Sequence, residues 1–375
     1  MDYKLEFVDL NDHVSCERGS KRRTRRMEHI GSLLLIGFCT LAILLCVAIT
    51  VSVLRQFDVI GASNTGYYER YATINQHHVR IGVDGKNADN CGYQCTHEVH
   101  YETIIKTSEF AVCPTLFIHS SNAILMDRHT GCSIFERGAE EQIFPASLVK
   151  IMTAIVAVEH IHDLEARIHL PEDMFPPLET ANASMAGFRR NDRVRARDLL
   201  YGLMLPSGGE CAIGLARYVA GSEEAFAQLM NEKASELGMT QTVFRNATGL
   251  HHEEQISTVA DLAILLEYAV ENEIVHQLLT THRHSTRATE LNEGGITFHS
   301  SLFSRMESNV LSHGQILGGR TGFTGRAGQC LASFAEVHGR QFLLVTVGAN
   351  GNPRVNALHI EDAFTIYNAI QFAER

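Results

Sequence analysis

The sequence predicts an α+β fold, built on an antiparallel sheet and preceded by a single transmembrane helix. Strand patterns occur near both ends of the globular region, at residues 122–137 and 329–347, and long apolar helical segments lie between them. Strands and helices that are segregated in this way are typical of α+β domains, not of repeating βαβ units. The transmembrane helix is predicted by one uncharged apolar run near the N-terminus.

The apolar run, residues 31–54, is long enough to cross a bilayer. Roughly 20 apolar residues at about 1.5 Å each span a hydrocarbon core of about 30 Å. A basic cluster precedes the run, so the positive-inside rule places residues 1–30 in the cytoplasm and the rest of the chain outside. The alternative is a cleaved signal peptide, which has a shorter apolar region and no long charged leader. The basic residues are Lys21, Arg22, Arg23, Arg25 and Arg26.

Composition places the remainder of the chain among globular proteins, with 45% hydrophobic and 20% charged residues. The formal net charge is −11, and no basic stripe interleaved with aromatic residues follows the apolar run. A nucleic-acid partner is therefore excluded, because such a partner requires a basic surface.

We interpret residues 55–113 as an extracytoplasmic linker or stalk, since Gly, Asn, Tyr and His are mixed there without sustained periodicity. Residues 114–375 form the predicted functional domain. Within it, residues 147–160 are apolar on nearly all sides, which predicts a buried helix. The other predicted elements are a hairpin at 122–127 and 132–137, helices at 196–205, 211–219, 223–237, 258–270 and 360–372, and strands at 329–336 and 341–347.

Six cysteines follow the apolar run, an even number that is compatible with disulfides. Four soft ligands, Cys91, Cys95, His97 and His100, lie close enough in sequence to hold a zinc ion. A local disulfide or free thiols beside surface histidines explain the same residues. No His-Glu-x-x-His pattern occurs, so we predict no catalytic metal. The six cysteines are Cys91, Cys95, Cys113, Cys132, Cys211 and Cys330.

The first motif with chemical meaning is Pro-Ala-Ser-Leu-Val-Lys at residues 145–150. Ser147 begins a predicted helix and Lys150 follows one turn later, so both side chains lie on one face and the amine can take the hydroxyl proton. Burial disfavours the charged form of a lysine, which lets it act as a base near neutral pH. Alone, the pair also fits a helix-capping serine followed by a lysine whose stem lies along the surface.

Two later motifs add to this pair. Ser207 lies in a Pro-Ser-Gly-Gly loop between two helical stretches, where its hydroxyl can relay a proton. Residues 318–324, Gly-Gly-Arg-Thr-Gly-Phe-Thr, predict the start of a strand. A cation there can hold a carboxylate, and a glycine lets a substrate backbone lie along an edge strand. The order of the three motifs approaches Ser-x-x-Lys, Ser-Asp-Asn and Lys-Thr-Gly.

On these motifs the sequence resembles the serine-type D-Ala-D-Ala carboxypeptidases, the low-molecular-weight penicillin-binding proteins of the SxxK peptidase family. The resemblance runs from about residue 121 to residue 373 and includes FPASLVKIMTA, DLLYGLMLPSG and GGRTGFTGRAGQCLAS. It implies a β-lactamase/transpeptidase-like fold, whose sheet carries helices on both faces, and it implies no cofactor. The implied activity removes the terminal D-alanine from peptidoglycan pentapeptides, at a bacterial cell membrane, with β-lactams as covalent inhibitors.

The resemblance also implies a role for each motif residue. Ser147 is the nucleophile of an acyl-enzyme, Lys150 its general base, and Ser207 an aid to proton transfer. Arg320 and Thr321 hold the carboxylate of the substrate. The backbone N–H groups of Ser147 and Phe323 form an oxyanion hole, and Gly209, Gly322 and Thr324 complete the substrate-binding set.

Two positions depart from the pattern of the family. Arg320 stands where the family has Lys, which keeps the charge on a different shape of side chain. Gly209 stands where the family has Asn, which removes an amide from the substrate site. Either a neighbour such as Glu210 takes its place or turnover is slower.

Other functions remain compatible with the same serine and lysine. A β-lactamase-like hydrolase needs a glutamate that activates water, and no glutamate lies between Glu236 and Glu253. A transpeptidase or an esterase shares the acylation step. A penicillin-binding or wall-peptide-sensing protein, in which Gly209 has stopped turnover, is the non-enzymatic alternative. The presence of both Ser147 and Lys150 favours an enzyme, since a binding protein needs no activated nucleophile.

Overall fold

The structure is a computed structural model, and it describes residues 95–97, 104–106, 108–353 and 355–373. The predicted cytoplasmic tail and transmembrane segment, residues 1–30 and 31–54, lie outside the described residues. Most of the predicted linker also lies outside them. Within the described part of the chain, no helix combines the length and the apolarity that a membrane crossing requires.

The secondary structure combines strands and helices in separate blocks. The strands are β1 Cys95–His97, β2 Ile104–Lys106, β3 Phe110–Ala111, β4 Asn122–Asp127, β5 Cys132–Arg137, β6 Arg167–His169, β7 Arg193–Arg195, β8 Arg283–Ser285, β9 Thr297–His299, β10 Val310–Leu311, β11 Gly314–Thr324, β12 Gly328–Val337, β13 Arg340–Ala349 and β14 Gln371–Phe372. The helices are α1 Val149–His160, α2 Phe175–Thr180, α3 Ala196–Met204, α4 Gly209–Ala220, α5 Glu223–Glu236, α6 Val259–Glu271, α7 Glu273–Thr280 and α8 Leu358–Asn368. Short 3₁₀ turns occur at Ala146–Leu148, Glu172–Met174 and Phe303–Arg305.

Six strands form one antiparallel sheet in the order β10-β11-β12-β13-β4-β5. The strands β4 and β5 come before the helices α1 to α7 in the chain, and the other four come after these helices and before α8. The predicted α+β class is therefore confirmed, and the predicted hairpin at residues 122–137 is present. Four smaller two-stranded pairings lie outside this sheet: β1 with β2, β3 with β14, β6 with β7 and β8 with β9.

Helices cover both faces of the sheet. Phe342 and Leu344 of β13 belong to one buried cluster with Ile366 and Tyr367 of the C-terminal helix α8. Neighbouring side chains of a strand point to opposite faces, so Leu343 of the same strand faces the other side. The helix α6 contacts β4, β12 and β13 there.

The helix α1 lies in the interior of the helical region. All of its residues from Val149 to Ala157 are buried, as the all-round apolar pattern predicts. The neighbouring helices α5 and α6 each begin after a capping side chain. Ser222 Oγ accepts from Ala225 N at 3.1 Å, and Thr258 Oγ1 accepts from Asp261 N at 3.0 Å. Such caps satisfy the free N–H groups of a first helical turn.

The end of the chain differs from the prediction. A helix was expected over residues 360–372, but α8 ends at Asn368, and Gln371–Phe372 forms the strand β14. The backbone of this strand pairs with β3, and Ala373 N donates to Glu109 O at 2.8 Å. Partners far away in the sequence therefore replace a last helical turn, which a local pattern cannot reveal.

Cys211 and Cys330 are buried thiols outside any disulfide. Of the four residues proposed as zinc ligands, Cys91 and His100 lie outside the described residues, and only the backbone of Cys95 and His97 is described.

Candidate active site

Ser147 lies in the 3₁₀ turn Ala146–Leu148, directly before α1. Its neighbour Ala146 has a φ of +47°, a conformation that a residue with a side chain rarely adopts. The turn packs against the strand β11, where a Cβ at Gly322 would lie 3.2 Å from Ser147 N. The serine is thus held at the edge of the sheet by close backbone packing.

Lys150 lies one helical turn after Ser147, with Nζ 3.3 Å from Ser147 Oγ. The same Nζ donates a hydrogen bond to the backbone carbonyl oxygen of Thr248. Only 3% of the Lys150 side chain is exposed. Burial, aided by the positive charge of Arg320, lowers the pKa of Lys150 to about 7. A large fraction of Lys150 is therefore neutral near physiological pH and can accept a proton.

Ser207 lies in the loop between α3 and α4 and has a φ of +74°. Its Oγ is 3.1 Å from Ser147 Oγ, and it accepts a hydrogen bond from Arg320 Nη2. The structure thus brings Ser207 to Ser147 and Lys150 from a segment 60 residues further along the chain. A proton can pass between the two hydroxyls, because they are within hydrogen-bond distance.

Arg320 lies in β11 with only 1% of its surface exposed. Its Nη1 donates to Met204 O at 3.0 Å and lies 3.5 Å from Ser301 Oγ. Burial lowers the pKa of Arg320 to about 9, so the guanidinium stays charged at neutral pH. The side chain lies beneath the cleft instead of lining it. Arg320 therefore acts on the cleft mainly through its hydrogen bond to the hydroxyl of Ser207.

A cleft of about 830 Å³ opens above these residues. The strand β11 forms one wall of the cleft. It pairs with β10 only at Gly314 and Gln315, so the later residues of β11 face the cleft along this edge. An edge strand of this kind can bind an extended peptide through its backbone. Thr321 lies on this wall, with Oγ1 2.7 Å from Ser301 Oγ. The cleft is lined by Ser147, Lys150, Pro206, Ser207, Gly209, Ser301, Arg305 and residues 181–184, 248–251, 321–325 and 351–353.

Gly209, the first residue of α4, is buried beside the cleft. Its N–H donates to Ser184 O at 2.8 Å, and a Cβ would lie 2.8 Å from Leu178 Cδ2. A larger residue fits only if the end of the Leu178 side chain moves. As packed here, Leu178 therefore leaves no room for the Asn side chain that the family has at this position.

Glu210 does not take the place of the missing amide. It is fully buried, and its Oε1 accepts from the N–H groups of Ala186, Gly187 and Phe188 at 2.7, 2.8 and 3.3 Å. Burial raises the pKa of this carboxyl. The side chain fixes the loop that precedes β7 and does not line the cleft.

The residues around the site that were not predicted from sequence include Thr248, Gly249 and Ser301. Gly249 has a φ of +74°, and a Cβ there would lie 2.2 Å from Ala146 O. Its N–H donates to Asn246 Oδ1 at 2.8 Å, which shapes the loop beside the serine. The Asn-Ala-Thr-Gly segment is a turn signal that could have drawn attention to the loop. Ser301 has no local signal.

Comparison with known proteins agrees with this geometry. A family model described as D-alanyl-D-alanine carboxypeptidase (Peptidase S11) matches residues 108–351. The D-alanyl-D-alanine carboxypeptidase DacF of Bacillus subtilis (strain 168) is 28% identical over 244 residues, which cover 64% of this chain and 59% of that protein. DacC of Escherichia coli (strain K12), which carries the same enzyme name, is 37% identical over 151 residues, 38% of this chain and 37% of that protein.

Among solved structures, the Streptomyces K15 DD-transpeptidase aligns with a TM-score of 0.60 at 25% identity, over 68% of this chain and 97% of that chain. The predicted fold type and the family resemblance are thereby confirmed. The matches span 59% and 37% of the lengths of the two curated relatives.

Proposed function

Because this chain belongs to the D-alanyl-D-alanine carboxypeptidase family, we propose that it removes the terminal D-alanine from peptidoglycan pentapeptides by acyl transfer through Ser147. The observation that carries the proposal is the position of Ser147 Oγ, 3.3 Å from Lys150 Nζ and 3.1 Å from Ser207 Oγ. A hydroxyl so placed has both a base and a proton relay within reach.

In the first step, neutral Lys150 takes the hydroxyl proton while Ser147 Oγ attacks the carbonyl carbon of the penultimate D-alanine. The carbonyl oxygen becomes an oxyanion, and the N–H groups of Ser147 and Phe323 are the proposed donors to it. The C–N bond then breaks, and the leaving amine receives the proton through Ser207. D-Alanine departs and leaves an ester on Ser147.

In the second step, water attacks this ester. Lys150 takes a proton from the water, the shortened peptide leaves as a carboxylic acid, and Ser147 regains its hydroxyl proton. Among the described residues that line the cleft, none is an aspartate or a glutamate. The cleft thus offers no carboxylate to activate water as class A β-lactamases do, which supports slow release of a β-lactam acyl group.

We propose that the carboxylate of the substrate is held by the hydroxyl of Thr321, with Ser301 beside it. Arg320 contributes its charge from beneath, because its guanidinium is committed to Met204 O and Ser207 Oγ. This assignment modifies the direct grip by Arg320 that the family resemblance implies.

We also propose that residues 31–54 anchor the protein in a bacterial cell membrane, with residues 1–30 in the cytoplasm and the peptidase outside. The uncharged run and the basic cluster before it support this arrangement. Protease added to intact cells should digest the peptidase and spare an epitope tag at the N-terminus. Loss of the tag under these conditions would contradict the proposed topology.

The activity is tested by release of D-alanine from a diacetyl-Lys-D-Ala-D-Ala peptide by the full-length chain. Ser147→Ala should abolish release, and Ser312→Ala, at an exposed serine on the β10–β11 turn, is the matched control. Benzylpenicillin should add its mass to the wild type and to Ser312→Ala but not to Ser147→Ala. Acylation without any release of D-alanine would favour the binding protein. Transfer of the acyl group to an added amine in preference to water would favour a transpeptidase.

A further inference from the structure

A second cleft, of about 550 Å³, adjoins the active-site cleft at the end of the sheet. Phe323, Gly325 and Gly351 line both clefts. The second cleft lies between the β11–β12 turn and residues 142–144, which come shortly before Ser147 in the chain. A ligand in the first cleft can therefore continue into the second without leaving the protein surface.

The direction of β11 determines which part of a substrate would enter the second cleft. In the proposed mechanism, the carboxylate of the substrate lies at Thr321 and its reacting carbonyl at the N–H of Phe323. The strand then continues through Thr324 to the turn at Gly325. The part of the peptide that precedes the scissile bond thus extends toward the second cleft.

Arg326 is the one charged residue among the described residues that line the second cleft. Its guanidinium carbon lies 5.8 Å from the ring centroid of Phe144. Its side chain is 63% exposed, whereas Arg320 is almost fully buried. A cation placed over an aromatic ring is held in position without losing its access to a ligand.

The present ion partner of Arg326 is Glu253, with Nη2 and Oε2 3.6 Å apart and 71% of the Glu253 side chain exposed. An exposed pair of this kind contributes little to stability, because water screens both charges. A carboxylate on a ligand can therefore replace Glu253 with little loss of protein stability. The other polar side chains of the cleft, Ser121, Asn122, Gln142 and Asn350, are neutral.

We propose that the second cleft is an acyl-side subsite for a carboxylate on the residue that precedes the two D-alanines of the substrate. Arg326 binds this carboxylate and Glu253 is the resident counter-ion that it displaces. The inference rests on the proposed function and narrows its substrate class to peptides with an acidic group at this position.

The test compares two peptides that differ only at this group: acetyl-L-2-aminoadipyl-D-Ala-D-Ala and the same peptide with the side-chain carboxylate as an amide. Their dissociation constants are measured by calorimetry in the full-length Ser147→Ala background, which removes turnover. The acidic peptide should bind about three- to fivefold more tightly at low ionic strength. The quantity compared is the ratio of the dissociation constant of the amide peptide to that of the acidic peptide. Adding Arg326→Gln should bring this ratio to about one, and adding Glu253→Gln should increase it.

Arg340→Gln is the matched control, since Arg340 also pairs with an exposed carboxylate, Glu109, and lies 6.0 Å from the ring centroid of Phe110. The ratio measured for Arg340→Gln should equal that of the parent protein, Ser147→Ala. A ratio of one in the parent, a ratio that Arg326→Gln leaves unchanged, or no binding of either peptide would overturn the subsite. Release of D-alanine by the Ser147 enzyme is measured with both peptides, and equal release from both would contradict the subsite while leaving the carboxypeptidase intact.

Discussion

Lys150 donates its Nζ hydrogen bond to the backbone carbonyl oxygen of Thr248, 98 residues further along the chain. This bond orients the amine, because a neutral amine that donates to Thr248 can direct its lone pair at the hydroxyl of Ser147. The loop around Thr248 is therefore as much a part of the site as the helix that carries the lysine.

Lys150→Met should remove acylation while the protein stays folded. Methionine fills a similar volume without an amine, and loss of a general base typically lowers the rate by about a hundred- to ten-thousandfold. The midpoint of thermal unfolding should stay level or rise, because the buried ammonium opposes folding at neutral pH. Acylation by a fluorescent penicillin and calorimetry measure the two effects. An unfolded variant would mean that Lys150 has mainly a structural role.

The rate of acylation should rise with pH and level off above about pH 7. Lys150 can take the proton of Ser147 only when neutral, and its pKa is lowered to about 7. Below this value the neutral fraction falls, so the rate should drop about tenfold for each pH unit. Second-order rate constants for benzylpenicillin between pH 5.5 and 9 give the profile. A rate that still rises about tenfold for each pH unit up to pH 9 would show that Lys150 has the pKa of an ordinary exposed lysine.

Arg320→Gln should move the midpoint of this profile to higher pH. The charge of Arg320 disfavours the protonated form of Lys150, so its removal raises the pKa of the lysine. Arg320→Lys keeps the charge and should leave the midpoint nearly in place. A lower rate in Arg320→Gln with an unchanged midpoint would assign Arg320 to the Ser207 contact alone.

Gly249→Ala should both destabilise the protein and impair acylation. The added Cβ meets Ala146 O and the backbone has a positive φ, so we expect a loss of about 3 kcal/mol or more in the free energy of unfolding. Gly221→Ala is the control, since Gly221 has a φ of +80° and open space around its Cβ position. This control should lose about 1 kcal/mol and keep its acylation rate. Equal losses in urea unfolding would show that contact with Ala146 is unimportant.

Gly209→Asn should fit poorly unless Leu178 is shortened. The new Cβ would lie 2.8 Å from Leu178 Cδ2, and overpacking of this kind costs about 1–3 kcal/mol. Leu178→Val withdraws that methyl group, so the double variant should be more stable than the sum of the single effects predicts. Urea unfolding of the four proteins in the cycle measures the coupling. Additive effects would mean that the loop at residues 183–188 moves instead.

Local patterns predicted the parts of this fold that are determined locally. The helix α1 follows from its uninterrupted apolar residues, and the β4–β5 hairpin follows from two strands and a short turn. The terminal strand Gln371–Phe372 was missed because its partner, Phe110–Ala111, lies near the other end of the described domain. A single sequence does not show such a pairing.

The same distinction applies to the candidate site. Ser147, Lys150 and Ser207 lie in motifs with recognisable spacing, and the structure brings all three together. Thr248 contributes only a backbone oxygen, which leaves no signature in a side-chain pattern. The sequence allows Glu210 to replace an amide at Gly209, but the orientation of Glu210 toward Ala186–Phe188 depends on tertiary packing.

The strand β11, which carries Arg320 and forms one wall of the cleft, is synthesised well after the segment that carries Ser147. Until it emerges, Ser147 has a nearby lysine but lacks the edge strand and the cation that reaches Ser207 from 113 residues further along the chain. An incomplete chain therefore carries a serine that has no assembled cleft around it. Translation of β11 is therefore the step at which an isolated serine and lysine become a cleft, and a copy that stops before Gly314 lacks the wall along which a peptide could lie.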